Sequence, residues 1–141
     1  MLKKLILTLT LVSFTWGDTP KFGDGQIAIM IEEYFHSSRE APELMGHQFY
    51  ASKYEQVIQI EIDTKEANVN DALLFGFKAM SQIANVAKTP FTQSVLVIHF
   101  GDHGMPVVAS AFLDCSKEFF LDGTMKEDAW RKHCLIIGGN N

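Results

Sequence analysis

Apolar and polar positions along the chain change period several times, and each change marks an element. From Tyr54 to Asp63, Ile58, Ile60 and Ile62 alternate with Gln59, Glu61 and Asp63, the period of two that gives a strand one buried and one wet face. After Asn68, placed as an N-cap, apolar residues from Val69 through Leu73, Phe77 and Met80 to Ala87 recur at steps of three and four, up to Lys88-Thr89-Pro90. That spacing predicts the longest helix. Gly76 stands among its apolar positions, where the missing side chain would let the helix sit close to a sheet. Val95-Leu96-Val97-Ile98 is apolar on both faces of a pleat and too short for a helix, so a central strand is expected at 94–100. Gly101 to Pro106, with two glycines and a proline, supplies a turn, and Val107 to Leu113 is again β-prone.

A strand, a helix and a second strand form a βαβ unit, so strand 54–63 should lie parallel to strand 94–100, while the Gly101–Pro106 turn makes the next pairing antiparallel. Upstream, Ile27, Met30, Ile31, Tyr34 and Phe35 follow helical spacing from Asp24 onward; Ile27, Ile29 and Ile31 also alternate, and the helix is the preferred reading. Ser37 to Ser52 shows no clear period and is expected to be a connection with a short helix near Pro42 to Met45. Downstream, Asp114 to Leu121 reads as a strand end turning into a short helical piece, broken by Asp122-Gly123. Thr124 and Glu127 have capping-box spacing and open a helix through Ala129, Trp130 and His133. Cys134 to Ile137 suits a short last strand before a polar tail. The expected fold is α/β (α+β): a two-layer sandwich in which a small mixed sheet carries helices mainly on one face, in the order α-β-α-β-β-α(-β).

The start of the chain has a different character. Lys3 and Lys4 precede the uncharged stretch Leu5 to Phe14, followed by Thr15-Trp16-Gly17. This is the layout of a secretory signal peptide at residues 1–17, leaving 18–141 as a single globular α/β domain. The apolar run is shorter than the roughly 20 residues a spanning helix needs. No stable membrane insertion is expected after cleavage, and the location would be periplasmic or secreted. Loss of two lysines takes the formal charge from −5 to −7, with 10 Lys and Arg against 17 Asp and Glu. The basic residues are scattered, with only Arg131 and Lys132 adjacent beyond the leader, which argues against nucleic acid as a partner. In an exported chain, the lone pair Cys115 and Cys134 is expected to form one disulfide, closing a loop of about 20 residues.

Chemistry-bearing residues are few. His99, Asp102 and His103 lie together at the end of the buried strand, where open sheets often place ligands. The words Val97-Ile98-His99-Phe100-Gly101-Asp102-His103-Gly104-Met105 resemble the strand-Asp-His-Gly-Met segment of the alkaline phosphatase superfamily. That resemblance implies metal binding by the Asp and the His. It covers nine residues, and the nucleophile and further ligands of that family have no counterpart here, so a polar turn is the preferred reading of the three residues. Leu74 and Phe75 fall off the main helical stripe, on the side that carries Lys78 and Asn85. They are expected to pack under the N-terminal helix or a loop, or else to contact a partner.

The chain has no Gly-x-Ser-x-Gly elbow, phosphate-binding glycine loop or His-Glu-x-x-His. The leading expectation is therefore an exported non-enzymatic domain, accessory or inhibitor-like, that binds a protein partner or small ligand without a cofactor. The alternative is a small metal-dependent hydrolase using His99, Asp102 and His103.

Overall fold

The computed structural model describes residues 21–138. The predicted leader and the end of the polar tail lie outside the described residues. Five strands form one mixed sheet in chain order: β1 (Glu43–Ser52), β2 (Glu55–Asp63), β3 (Gln93–His99), β4 (Val107–Phe112) and β5 (Ile136–Ile137). Helices α1 (Asp24–His36), α2 (Val69–Ala84), α3 (Leu113–Phe120) and α4 (Glu127–His133) complete it, with a single 3-10 turn at Glu66–Asn68. The two-layer α+β sandwich predicted from periodicity is the architecture observed.

The pairings follow from the connections. β2 runs parallel to β3 from Val57 opposite Gln93 to Asp63 opposite His99, with α2 as the crossover. β3 and β4 pair antiparallel across the glycine-containing loop, and β1 and β2 form a tight hairpin. One face of the sheet bears Ile58, Ile60, Ile62, Leu96 and Ile98, all fully buried, and α1 and α2 press Ile27, Ile31, Phe77 and Met80 into the same core. Burying a side chain of this size contributes roughly 1.5–3 kcal/mol relative to leaving it in water. The opposite face is mixed, with Tyr50, Val108, Phe112 and Ile136 exposed among glutamines and carboxylates.

Gly76 does what its place in the helical stripe suggested. A Cβ there would stand 2.7 and 2.8 Å from the two methyl carbons of Leu96, closer than carbon atoms can approach without displacement. α2 therefore crosses β3 so closely that a side chain at 76 would have to displace that of Leu96.

Four local expectations are corrected. Ser37 to Ser52 is not a connection with a short helix near Pro42 to Met45: it contains the ten-residue edge strand β1. Its alternation is broken by a bulge between Leu44 and Gly46, where Met45 is extra, and such a bulge resets the face count midway along a strand. The strand after the glycine loop ends at Phe112, and Leu113 already opens α3. The longest helix stops at Ala84, and Asn85 to Lys88 instead turn to meet Phe22, whose N–H donates to the Val86 carbonyl and whose carbonyl accepts from the Lys88 N–H, both at 2.8 Å. The capping box does not form: Lys126 is the N-cap of α4 with no side-chain cap bond, while the Thr124 hydroxyl donates to the carbonyl of Glu118 at 3.3 Å.

Cys115 and Cys134 are joined by a disulfide, Cα atoms 5.7 Å apart, which ties α3 to the C-cap of α4. Among the described residues no helix is long and apolar enough to cross a membrane.

Candidate functional site

Two neighbouring depressions open at the end of the sheet where the parallel strands β2 and β3 terminate, and Thr64 and Asn68 line both. This is the end at which helical crossovers leave loops free to meet a ligand. The larger is an open trough of about 840 Å³ between the α1–β1 connection, α2 and α3. Its apolar side is built from Leu74 and Phe75 of α2 and Phe119 and Phe120 of α3, all partly buried. Arg39 and Lys78 bring positive charge to the rim, and Glu40 and Asp71 bring negative charge.

The aromatic wall is held from behind. Phe75 packs edge-on against Phe35 and Tyr34 of α1, with ring centroids 5.1 and 5.4 Å away. On the other side, Trp130 is fully buried with Phe119 5.9 Å and Phe120 5.1 Å from it, and its indole N–H donates to the Ser116 hydroxyl at 3.0 Å. The disulfide spans the same two helices. Phe119 and Phe120 therefore face the trough from a support with little freedom to collapse into it. Tyr34 donates to Gln82 Oε1 at 2.9 Å, and burial raises its phenol pKa above the ordinary value of 10.0.

Leu74 and Phe75, which fall off the main helical stripe, stand between the N-terminal helix and the trough. Phe75 packs beneath the N-terminal helix, and the two residues also line the trough. Lys78 shares the helix side of Leu74 and Phe75 in the sequence pattern, whereas Phe119, Phe120 and Arg39 have no such marker, because the trough is assembled from three segments far apart in the chain. The one available hint was the adjacent aromatic pair Phe119-Phe120 at the end of a short helix.

The smaller depression, about 590 Å³, is lined by Asp63, Lys65, Glu66, Phe100 and His103, with Thr64, Asn68 and Gly101. Asp63 organises it: its Oδ1 accepts the backbone N–H of Gly101 at 2.7 Å, and the Thr64 N–H donates to the His99 carbonyl at 3.0 Å. Gly101 and Gly104 take the positive φ values of 61° and 71° that the loop requires.

The three residues of the strand-end cluster are separated. His99 lies in register with Asp63 on the mixed face of the sheet, its Nε2 3.7 Å from Glu61 Oε1, too long for a hydrogen bond. Asp102 is exposed in the loop, and His103 lines the smaller depression. Among the described residues no three His, Cys, Asp or Glu side chains are grouped so as to hold a metal ion. Comparisons with family models, curated proteins and solved structures give no match, so the function is argued from the site's own chemistry.

Proposed function

We propose that the protein is an exported, non-enzymatic domain that binds a protein partner, and that the trough beside Phe75, Phe119 and Phe120 receives an apolar side chain of that partner. The observation that carries this reading is the trough itself: a partly buried aromatic wall, rigidly backed, with both signs of charge on its rim. Apolar anchors seated in such depressions dominate binding energy, while rim charges orient the partner and reject wrong ones. A protein is favoured over a small ligand because the trough stands open to solvent. A small-molecule pocket encloses most of its ligand.

Export is supported by the Cys115–Cys134 disulfide, a bond that persists in oxidising compartments, together with the charged and apolar layout of residues 1–17. The mature protein is expected to begin between residues 16 and 18, and intact mass measurement of material from its native compartment checks this.

Binding is tested with a photo-crosslinking amino acid placed at Leu74, and separately at Val108 on the far face of the sheet, in the cells that make the protein. Adducts at 74 that are absent at 108 support the reading, and their loss on Phe120→Glu links them to the aromatic wall. Adducts at 108 alone would move the partner to the other face. Elemental analysis finding close to one zinc or manganese per chain, removed by replacing His99 and His103 together, would favour a metal-dependent hydrolase instead.

A further inference from the structure

We infer that β1 is a self-association edge: two copies of the chain pair their β1 strands antiparallel about Gln48, merging two sheets into one. Among the described residues β1 ends the sheet and is paired on one side only. Ser52 and Glu55 flank the two-residue turn Lys53-Tyr54 and must form a hydrogen-bonded pair, so by alternation Tyr50, Gln48 and Gly46 direct their backbone groups toward β2. His47, Phe49 and Ala51 then present unpaired N–H and C=O groups outward. Natural edges are blunted by Lys, Pro or a bulge. Here Pro42 and the bulge at Met45 lie upstream, and Gly46 to Ser52 holds neither Lys nor Pro.

A second copy is the fitting occupant because one register satisfies three features together. With Gln48 opposite Gln48 of the second copy, His47 meets Phe49 of the second copy, and their outward backbone groups form a hydrogen-bonded pair. On the helix side, the stacked His47 and Phe49 rings, 5.8 Å apart, then lie alongside their symmetric equivalents. On the other side, Tyr50 comes opposite Gly46 of the second copy, where no side chain obstructs the ring. An aromatic residue across from a sheet glycine covers backbone that would otherwise be wet.

Further along, the bulge at Met45 shifts the count by one, so Glu43 comes opposite Ser52 of the second copy and diagonally next to its Lys53. Glu43 stands opposite Asp63 within its own sheet, and like charges in that position repel. A lysine from the second copy offsets this, twice by symmetry. Among the described residues neither Glu43 nor Lys53 has an ion-pair partner within the chain. Slipping the register by two residues would place Tyr50 opposite Gln48 and separate Glu43 from Lys53. Slipping by one would turn the edge groups away from each other.

The contact is small, so a reversible dimer across the micromolar range is expected in sedimentation velocity of the mature protein. Gln48→Lys sets two like charges on the axis and should leave a monomer with an unchanged melting temperature. Gln48→Cys should give a covalent dimer without reducing agent, since non-hydrogen-bonded pairs hold Cα atoms about 4.5 Å apart, within disulfide reach. Val108→Cys, on the same face away from the edge, should not crosslink. Glu43→Lys and Lys53→Glu should each weaken the dimer roughly fivefold at low salt, and their combination should restore it. A wild type that stays monomeric throughout, a dimer indifferent to Gln48→Lys, or a dimer in which Gln48→Cys fails to crosslink would overturn the proposal.

Discussion

The indole nitrogen of Trp130 donates to the hydroxyl of Ser116 at 3.0 Å, and both side chains are fully buried. Ser116 follows Cys115 directly, so this hydrogen bond and the disulfide fasten α4 to adjacent positions of α3.

Ser116→Ala is accordingly expected to destabilise the protein by about 1–3 kcal/mol, because it leaves a buried N–H without an acceptor. Chemical denaturation measures this. A loss below a few tenths of a kcal/mol would mean that the indole finds another partner.

Reduction of Cys115–Cys134 should cost on the order of 3 kcal/mol by the loop-closure argument. That corresponds to a melting temperature lowered by roughly 10 °C in a domain of this size. Calorimetry with and without reductant checks it. The loss should be accompanied by increased exposure of Trp130, read by fluorescence, since the ring depends on the helices that the bond joins.

Gly76→Ala should destabilise the fold even though alanine is the better helix former by about 1 kcal/mol. The new methyl meets Leu96 at less than contact distance, and overpacking of this kind costs about 1–3 kcal/mol. Combining it with Leu96→Val should cost less than the two single changes added together, because the shortened side chain makes room. Strict additivity in the double-mutant cycle would refute the contact.

Tyr34 gives the fold an alkaline limit. Burial raises its pKa above 10.0, so in the folded state the phenol keeps a proton that the unfolded chain releases. Its contribution is present in full below pH 10 and is lost as pH rises from there through the raised folded value. Tyr34→Phe should remove this part of the pH dependence, giving a flatter stability profile at high pH than the wild type.

Where the sequence was legible, one physical signal dominated. β2 showed a clean period of two, α2 a long period of 3.6, and β3 an unbroken apolar run, and together they dictated the parallel crossover. β1 was hidden because its alternation is reset at Met45 and its inward positions include His47, which reads as polar although its ring stacks on Phe49. The end of α2 was overextended because Val86 and Ala87 keep the apolar spacing while turning out of the helix toward Phe22. At the site, Leu74 and Phe75 could be singled out because they break a regular stripe. Phe119, Phe120 and Arg39 could not, since their meeting depends on how α3 and the α1–β1 connection approach α2, which no local pattern encodes.

Because the spatial order of the strands is their order in the chain, a polypeptide made or delivered from its amino terminus always offers a finished edge to the strand that comes next. No strand has to be inserted between two that are already joined. The slowest pairing should be β2 with β3, whose partners lie farther apart in the chain than those of any other strand pair among the described residues. Both thiols follow β3 and β4 in the chain, so oxidation fastens the last two helices to each other after the first four strands have been laid down, and with two cysteines in the chain no alternative internal pairing competes with it.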